Sequence, residues 1–533
     1  MQNNETIRPF LRGALSVSVA ALFAKVLSAA YRVPYQNMAG DLGFYAYQQI
    51  YPFHGIAMIL AMYGFPVYLS KVVTGYLERG EVEQAKAWVS FFFYRLILLS
   101  VVMFSTLYVF AERIALVMGD INLTAPLQTV AFSILLIPLL SVVRGVYQAH
   151  HQLEPTALSH VTEQIIRVIG ILCLVGLFMS QGGDGYDAAV GAALGSIAGS
   201  VGAIIVLLIG YRSIAWREWL SRKNLRMLKG NRNTPWFRQS VYICLSSLVF
   251  VLVPLVDAFT MIRLLGVAGI EGTWAFIEKG IYDRGQPLVQ VGIVVATSFS
   301  LAIVPFMTKA VQGRRLREAR TFTELACRFT ILISGAAALG LFIVMEPTNI
   351  MLFGNSEGTH VLQVYGFSIF FASLFVVTAA LLQGSGYVHI PMIALAVSLL
   401  VKMVANVVLI PAFTTVGAAI GTIAAYATMA TINVVALSKL YGGLAHLVAN
   451  AQAMLVCFIA MAIPASVCRY LLSLVVGEGR MEALLMVLLT VAAGILGFLF
   501  AVLRSKVISE KEWDMVPTLQ KWAKRMNHLF GNT

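Results

Sequence analysis

The chain has 533 residues, of which 59% are hydrophobic and only 12% are charged, and its mean hydropathy is +0.82. No water-soluble domain buries this much apolar surface, so the composition excludes a soluble protein and indicates one whose solvent is lipid. The net charge of +13 does not indicate nucleic-acid binding, because the surplus Lys and Arg lie in the loops between apolar runs, as in inner-membrane proteins.

The first apolar run predicts a membrane span and not a removable signal peptide. The opening MQNNETIRPFLRG has no cleavage site, and the apolar residues after Arg12 continue to about Val33, which is long enough to cross a bilayer. We expect about fourteen transmembrane helices in all. The predicted spans, in chain order, are 11–34, 44–70, 88–111, 125–148, 157–179, 188–211, 237–265, 281–308, 322–345, 360–383, 390–410, 415–438, 449–473 and 482–503.

The loops predict the orientation. Basic residues fill the segments 212–232 and 309–320, whereas the connections 180–187, 346–359 and 411–414 contain no Lys or Arg. Because basic loops stay on the cytoplasmic side, we predict a multi-pass protein of the plasma membrane with both termini in the cytoplasm. The C-terminal tail carries Trp and Met at helical spacing among lysines, which is typical either of an amphipathic helix on the membrane surface or of a solvated tail.

An internal repeat relates the two halves of the chain. LQTVAFSI at 127–134 recurs as LQVYGFSI at 362–369, an offset of 235, and VGAALGSIA at 190–198 recurs as VGAAIGTIA at 416–424. Each repeat contains an even number of spans, so both halves are predicted to enter the membrane in the same orientation. Two such halves suit alternating access, in which a site near the bilayer midplane opens to one side at a time.

The repeat and the loops together predict the domain organisation. The predicted parts are an N-terminal lobe, 1–212, with spans one to six; a basic cytoplasmic linker, 213–236; a C-terminal lobe, 237–440, with spans seven to twelve; the last two spans within 441–505; and a cytoplasmic tail, 506–533.

Several ionisable residues fall inside the predicted spans, where insertion costs about 2.5 to 3.5 kcal/mol each. Such residues usually face a cavity or have a partner. Lys25 and Arg284 are the favoured cavity cations, because ammonium and guanidinium groups together fit a phosphate or pyrophosphate. The full set of candidates for substrate binding is Lys25, Arg32, His54, Asp283 and Arg284, and the candidates for ion coupling are Asp257 and Glu163.

Some of these candidates have an equally simple structural explanation. Arg32 could extend its side chain to the outer membrane interface. Glu163 and Arg167 are four residues apart on one predicted helix, so we expect them to neutralise each other. A buried, hydrogen-bonded histidine is the commoner explanation for His54.

The sequence contains no signature of an enzyme or of a cofactor site. Neither GxxxxGK[ST] nor HExxH occurs, and the five cysteines form no CxxC or Cys/His pattern, so we predict a transporter that holds no metal or other cofactor. Energy would then come from an ion gradient of H⁺ or Na⁺, from the membrane potential, or from the substrate's own gradient.

Short motifs along the whole chain resemble a known family. FAKVL at 23–27, GDLGFY at 40–45, YGFP at 63–66 and YDRGQP at 282–287 are together similar to the polysaccharide-transport branch of the multidrug/oligosaccharidyl-lipid/polysaccharide exporter (MOP) superfamily. Within that branch they resemble the sporulation-protein-B-like and MurJ-like flippases. The resemblance implies an all-helical fold with two lobes around a V-shaped cavity, and two further C-terminal helices that shape a groove for a polyprenyl tail.

The resemblance also implies roles for two cations. Arg284 corresponds to a cavity arginine in the eighth helix, and Lys25 to an arginine in the first helix, both of which bind lipid pyrophosphate in the family. The second-helix arginine of the MurJ-like members has no counterpart here, and His54 lies nearby.

Three functions are consistent with these features. The first is a flippase that moves an undecaprenyl-pyrophosphate-linked cell-wall or polysaccharide precursor across the membrane, with the lipid-linked oligosaccharide and membrane lipids as its partners. The second is an exporter of drugs or amphiphiles that is coupled to H⁺ or Na⁺. The third is a membrane scaffold for envelope or spore assembly.

Overall fold

The computed structural model describes residues 27–210, 214–227, 248–442, 451–477, 479–505 and 507. Throughout this part of the chain the regular secondary structure is helical, without a β-strand. Eleven helical stretches among these residues are long and apolar enough to cross a membrane. The prediction of an all-helical protein with many membrane spans is therefore confirmed.

The helices follow one another with short connections. A π-helical turn, Leu60–Gly64, connects the first helix directly to the second. In chain order they are α1 Arg32–Ile59, α2 Phe65–Leu77, α3 Val82–Val109, α4 Ala111–Met118, α5 Thr124–Ala131, α6 Ile137–Ala149, α7 Glu154–Ser180, α8 Gly185–Ile205, α9 Trp216–Trp219, α10 Val249–Val267, α11 Thr273–Asp283, α12 Gly285–Leu301, α13 Val304–Gln312, α14 Leu316–Phe353, α15 Thr359–Gly366, α16 Ser368–Gly384, α17 His389–Tyr441, α18 Ala451–Ser473 and α19 Arg480–Arg504.

Two of the membrane-spanning stretches are long enough for two crossings each. The stretch Leu27–Leu77 has 51 residues and α17 has 53, and at about 1.5 Å per residue each exceeds the thickness of a bilayer. Each contains a non-helical residue, Gly40 with φ 66° and Thr414 with φ 52°. The second bend lies at the predicted loop 411–414. Counting each stretch as two spans brings the total close to the predicted number.

The chain divides into two compact units. The first contains Met1–Pro287 together with Lys402–Gly421, and the second contains Leu288–Val401 together with Thr422–Thr533. The segment 402–421, which includes the bend of α17, therefore belongs to the first unit. The predicted lobes, linker and last two spans stay predictions, and the tail from residue 508 lies outside the described residues.

The helix breaks recur together with the sequence repeat. A 3₁₀ turn at Phe132–Leu136 separates α5 from α6, and the equivalent Phe367 separates α15 from α16. Pro66 and Pro305 each stand in the first turn of a helix, α2 and α13, where proline costs no hydrogen bond. The two halves of the sequence thus repeat local backbone structure as well as residues.

In the second unit, a buried cluster joins α14 to its neighbours. Cys327 and Leu332 of α14 pack there with Leu381 of α16 and Cys457 of α18. The cysteines that the structure describes are free, and Cys173 is exposed. Cys327 and Cys457 are thus part of the core, Cys468 is half-buried, and Cys244 lies outside the described residues.

Glycines bring α7 and α8 into backbone contact. A Cβ atom on Gly195 of α8 would lie 2.7 Å from the carbonyl carbon of Gly170 on α7, and one on Gly199 would lie 2.6 Å from the carbonyl oxygen of Glu163. Small residues at four-residue spacing permit such close approach of membrane helices, whose association depends on packing because lipid supplies no hydrophobic driving force. This contact places Glu163 against α8.

The close contact predicts that Gly195→Ala destabilises the protein. The added methyl group would overlap the backbone of α7, and overpacking of this kind costs about 1 to 3 kcal/mol, so the thermal unfolding midpoint in detergent should fall. Gly340→Ala on α14 is the matched control, since a Cβ there meets no atom within 4 Å and alanine is the better helix former. Equal midpoints for the two variants would contradict the packing described here.

Candidate functional site

The candidate residues of the sequence lie in the first unit. Lys25 lies outside the described residues. The other six are buried residues of the first unit, five of them on helices and Arg284 at the junction of α11 with α12: Arg32, His54, Glu163, Asp257, Asp283 and Arg284. Their side chains form two groups, one around the junction of α11 with α12 and one between α6, α7 and α8.

Arg284 forms a buried ion pair with Asp41. Its Nε donates to Oδ1 of Asp41 at 2.9 Å, and its Nη2 donates to Oδ2 at 2.6 Å. This is a two-point guanidinium–carboxylate contact, the strong geometry for such a pair. Gln36 also donates to Asp41, from Nε2 to Oδ1 at 2.9 Å. The sequence favours a cavity cation at position 284 over a structural ion pair, and the structure gives this guanidinium a carboxylate partner on α1.

Asp283, the neighbour of Arg284, is neutralised within its own helix. Nζ of Lys279 lies 2.7 Å from Oδ2 of Asp283, and both side chains are buried. The spacing of four residues is the one at which opposite charges meet on a helix surface. Sequence reasoning missed Lys279, although the same spacing rule would have found it.

Asp257 is held by three polar groups. Nζ of Lys402 lies 2.7 Å from Oδ1 of Asp257, Nδ2 of Asn406 donates to the same oxygen at 2.8 Å, and the hydroxyl of Tyr282 donates to Oδ2 at 3.1 Å. Lys402 and Asn406 come from the segment of α17 that belongs to the first unit. The candidate carboxylate for ion coupling is therefore fully occupied by internal partners.

Arg32 has no carboxylate partner among the described residues. Its Nη1 donates to Oε1 of Gln286 at 3.0 Å, its guanidinium carbon lies 4.4 Å from the centre of the Tyr51 ring, and its Nε has no hydrogen-bond partner. The side chain is only 1% exposed, so the alternative that it extends to the membrane interface is wrong. Packing against Tyr51 supplies a cation–π contact in place of water.

Glu163 pairs with an arginine of another helix. Nη2 of Arg144, on α6, lies 2.7 Å from Oε2 of Glu163, and Ser200 of α8 donates to Oε1 at 3.0 Å. The predicted neutralisation of Glu163 by Arg167 is therefore wrong, because a residue from a neighbouring helix reaches the carboxylate. Arg144 lies within an apolar run of the sequence, and that position was the signal that could have identified it.

Arg167 turns away from Glu163 towards tyrosines. Its Nη2 donates to Oγ of Ser28 at 2.9 Å, and its guanidinium carbon lies 5.2 Å from the centre of the Tyr31 ring. Its Nε has no hydrogen-bond partner and the side chain is fully buried. Arg167 therefore resembles Arg32: a buried cation that rests on an aromatic ring.

His54 lines a small cavity beside Glu163 and Ser200. The cavity has about 10 Å³ of space, which is the room that one water molecule needs. Both ring nitrogens of His54 lack a protein partner. Within the described ranges, therefore, the expectation of a core histidine hydrogen-bonded to another protein group is not met.

Buried charges in the first unit do not cancel. Four cations have a carboxylate within 2.7 Å, in the pairs Arg284–Asp41, Lys279–Asp283, Lys402–Asp257 and Arg144–Glu163. Arg32 and Arg167 have none within 4 Å in the part of the chain that the structure describes. Arg32 and Arg167 are thus two buried cations without a paired carboxylate, whereas the buried carboxylate of Asp120 accepts hydrogen bonds from Tyr45 and Tyr186.

Three tyrosines lie between these two arginines, one just before α1 and two within it. The hydroxyl groups of Tyr31 and Tyr47 are hydrogen-bonded to each other, and the ring of Tyr47 lies 5.9 Å from that of Tyr51. Arg167 rests on the first of these rings and Arg32 on the last. We call these five residues the arginine–tyrosine cluster. Its surplus charge and its many N–H and O–H donors suit a phosphate-type anion.

A metal site is not evident among the described residues. No group of three or more His, Cys, Asp or Glu side chains in that part of the chain is placed to hold a metal ion.

Comparison with known families agrees with this fold. The model of the family described as "Polysaccharide biosynthesis protein" matches residues 10–311, and the MatE model matches residues 243–408. The uncharacterized membrane protein YabM of Bacillus subtilis is 37% identical over 98% of this chain and 97% of its own length. The lipid II flippase MurJ of the same organism is 25% identical over 91% of this chain and 93% of its own length. Stage V sporulation protein B of that organism is 25% identical over 65% of this chain and 67% of its own length.

Solved structures share the architecture. The lipid II flippase MurJ in an inward closed conformation matches with a TM-score of 0.66 and 15% identity, over 91% of this chain and 97% of that chain. An inward-facing MATE family multidrug transporter of the MOP superfamily matches with a TM-score of 0.64 and 15% identity, over 82% and 99%. At this identity the likeness concerns the fold, and the sequence matches carry the family assignment. The chain belongs to the polysaccharide biosynthesis protein family, within the MOP superfamily of membrane transporters.

Proposed function

We propose that this protein is a flippase for a lipid-linked oligosaccharide. Its substrate would be an undecaprenyl-pyrophosphate-linked precursor of the cell wall or of another polysaccharide, moved across the plasma membrane by alternating access. Family membership supports the general class, and one relative that covers most of the chain is named as a lipid II flippase. The predicted orientation, with both termini in the cytoplasm, is part of this proposal.

The arginine–tyrosine cluster is the observation that carries the proposal. Arg32 and Arg167 are buried in a membrane protein, and the part of the chain that the structure describes gives neither of them a carboxylate partner or an acceptor for Nε. An unpaired charge in such surroundings is costly and is found mainly where a ligand or an ion pathway needs it. A pyrophosphate group would supply the missing negative charge and acceptors for both guanidinium groups. Lys25, which precedes the described residues, is proposed to add a third cation.

Arg284 is proposed to act later than Arg32 and Arg167. Its Nε and Nη2 groups both donate to Asp41. A pyrophosphate would therefore have to displace Asp41 before this guanidinium could bind it. Asp283 adds no net charge, because Lys279 neutralises it. His54 lines the cavity beside Glu163, and no residue of the cluster lines that cavity, so we do not propose that His54 binds the anion.

An ion-coupled exporter of cationic drugs is the second candidate, and the pairing of its carboxylates weighs against it. Asp257 and Glu163 would have to receive the coupling ion, H⁺ or Na⁺, or the cationic cargo. Lys402 lies 2.7 Å from Asp257, and Arg144 lies 2.7 Å from Glu163. Because both carboxylates are already neutralised, neither offers a net negative charge to an incoming cation. A membrane scaffold, the third candidate, would need no unpaired buried charge at all.

The proposal predicts that Arg32→Gln and Arg167→Gln abolish most of the translocation activity. Hydrogen bonds to charged groups contribute about 1.5 to 3 kcal/mol, so we expect each variant to lower the rate about tenfold or more. The measurement is the movement of a fluorescent undecaprenyl-pyrophosphate-linked sugar in proteoliposomes that contain equal amounts of each protein. Arg32→Lys should lose activity as well, because lysine keeps the charge but not the two-point geometry.

Arg113→Ala is the matched control, since this arginine is exposed and forms a contact with Phe110 at 5.7 Å. The unfolding midpoint of each variant shows whether it is folded. Folded Arg32→Gln and Arg167→Gln proteins that translocate at the native rate would contradict the anion site. A native protein that translocates none of several lipid-linked glycans would contradict the flippase itself.

The neutral carboxylate pairs predict that the protein does not export cationic drugs. Expression of the native chain in a host that lacks its own efflux pumps should leave ethidium accumulation unchanged, while a known MATE exporter lowers it. If ethidium accumulation falls with the native chain and recovers with Asp257→Asn, the exporter is the better assignment and Asp257 is its coupling carboxylate.

A further inference from the structure

Gln286 links two buried polar side chains of α1. Its Oε1 accepts a hydrogen bond from Nη1 of Arg32 at 3.0 Å and another from Nε2 of Gln48 at 2.5 Å. Arg32 is 1% exposed and Gln48 is 5% exposed, whereas Gln286 is half-buried. One amide oxygen at the start of α12 therefore holds an arginine and a glutamine of α1 side by side.

The chemistry of arginine fixes the orientation of both amide groups. A guanidinium group has N–H donors and no acceptor, so Gln286 must turn its oxygen, and not its nitrogen, towards Arg32. Gln48 contacts the same oxygen and must therefore present its Nε2 to it. The amide oxygen of Gln48 consequently lies on the other side of its amide group. This Oε1 is buried, and no donor among the described residues contacts it.

Arg32 has the complementary unpartnered atom. Its Nε is buried and donates to no acceptor in the described part of the chain, and its guanidinium group lies over the ring of Tyr51. A buried donor or acceptor without a partner costs free energy, and native proteins contain few of them. Here an unpartnered donor and an unpartnered acceptor belong to the two neighbouring groups that share Oε1 of Gln286.

Gln36 shows the same pattern one helical turn after Arg32. Its Nε2 donates to Oδ1 of Asp41 at 2.9 Å. Because an ionised carboxylate only accepts hydrogen bonds, the orientation of this amide group is fixed as well. Its Oε1 is buried and has no partner within the described ranges. Residues four apart lie on one face of a helix, so this face of α1 has a second amide oxygen that needs a donor.

A pyrophosphate alone would satisfy only some of these atoms. Its oxygens would accept from Nε of Arg32, but an ionised phosphate has no N–H or O–H group to donate to an amide oxygen. A sugar has several hydroxyl donors, and an acetamido sugar adds an N–H donor. In a glycosyl pyrophosphate the first sugar is bonded directly to the second phosphate. Its donors therefore lie close to the phosphate oxygens, as the oxygen of Gln48 lies close to Arg32.

We propose that Gln48 recognises the first sugar of the substrate through its unpartnered amide oxygen, and that Gln286 is the positioning residue that holds Gln48 beside Arg32. This inference rests on the proposed function, because it takes Arg32 as a ligand of the pyrophosphate. The site is selective for a glycosyl pyrophosphate. A lipid pyrophosphate without its sugar leaves the oxygen of Gln48 buried and unpaired, which is the mismatch that polar binding sites reject most strongly.

The test compares the binding of two ligands, undecaprenyl-pyrophosphate-linked N-acetylglucosamine and undecaprenyl pyrophosphate. The affinity of each ligand for the purified full-length protein in detergent is measured by titration calorimetry. We expect the native protein to bind the glycosylated ligand about tenfold more tightly, since one buried acceptor that is left unpaired changes a dissociation constant by about this factor.

Gln48→Met should bind the two ligands with equal affinity, because methionine fills a similar space without the amide oxygen. Gln181→Met is the matched control. Gln181 is exposed, so this variant should keep the preference of the native protein for the glycosylated ligand.

Gln286→Glu tests the positioning role. The variant keeps an oxygen for Arg32 and Gln48 but adds a negative charge beside the guanidinium group. Both ligands should therefore bind more weakly, while the unfolding midpoint without ligand does not fall. A variant that was merely misfolded would lower both the affinity and the midpoint, and that result would overturn the positioning role.

A native protein that binds both ligands equally would overturn the inference and leave the anion site intact, and this comparison needs no variant. A folded Gln48→Met protein that keeps the preference would overturn it as well. Binding of neither ligand would count against the anion site and against this inference with it. Selective binding without movement of the ligand in proteoliposomes would count against the flippase and leave the role of Gln48 intact.

Discussion

The cost of placing ionised side chains in lipid is the constraint on which the first unit depends. A charge in the hydrocarbon region needs a counter-charge, hydrogen bonds or an aromatic surface, and α1, α6, α7, α10, α11 and α17 supply these to one another. The two-point contact between Arg284 and Asp41 joins the start of α12 to α1, and the Lys402–Asp257 pair joins α17 to α10. Replacing one partner of such a pair leaves a buried unpaired charge, which costs about 3 to 5 kcal/mol.

The positions of the membrane helices were predictable from sequence because hydropathy and helix length are local properties. The predicted loop at 411–414 lies at the bend of α17. Pro66 and Pro305 lie inside the predicted spans 44–70 and 281–308, and the structure begins a new helix at each of them. The partners of the charges were less predictable. A spacing of four residues brings Asp283 to Lys279, yet the same rule applied to Glu163 gives the wrong partner, because Arg144 approaches from another helix. Contacts between helices depend on packing, which a single sequence does not encode locally.

The candidate site shows the same difference between local properties, which the sequence predicts, and contacts between helices, which it does not. Sequence reasoning identified Arg32, since a cation in an apolar run is conspicuous, but not that it lies against Tyr51 and lacks a carboxylate. Arg167 was assigned to Glu163 and instead rests on Tyr31. Tyrosines are common in membrane helices, so their presence in the sequence did not indicate a binding site. Only the three-dimensional arrangement distinguishes cations that are already neutralised from those with capacity for a ligand.

The internal repeat gives one further consequence. Arg167 and Lys402 are separated by the repeat offset of 235 residues, so they occupy equivalent positions on equivalent helices. The first keeps an unbalanced charge among tyrosines, whereas the second is cancelled by Asp257. A membrane voltage exerts about 2.3 kcal/mol per elementary charge per 100 mV on a charge that crosses it, and nothing on a neutral pair. At these two equivalent positions the halves therefore share a backbone pattern but differ in the net charge on which a membrane voltage can act.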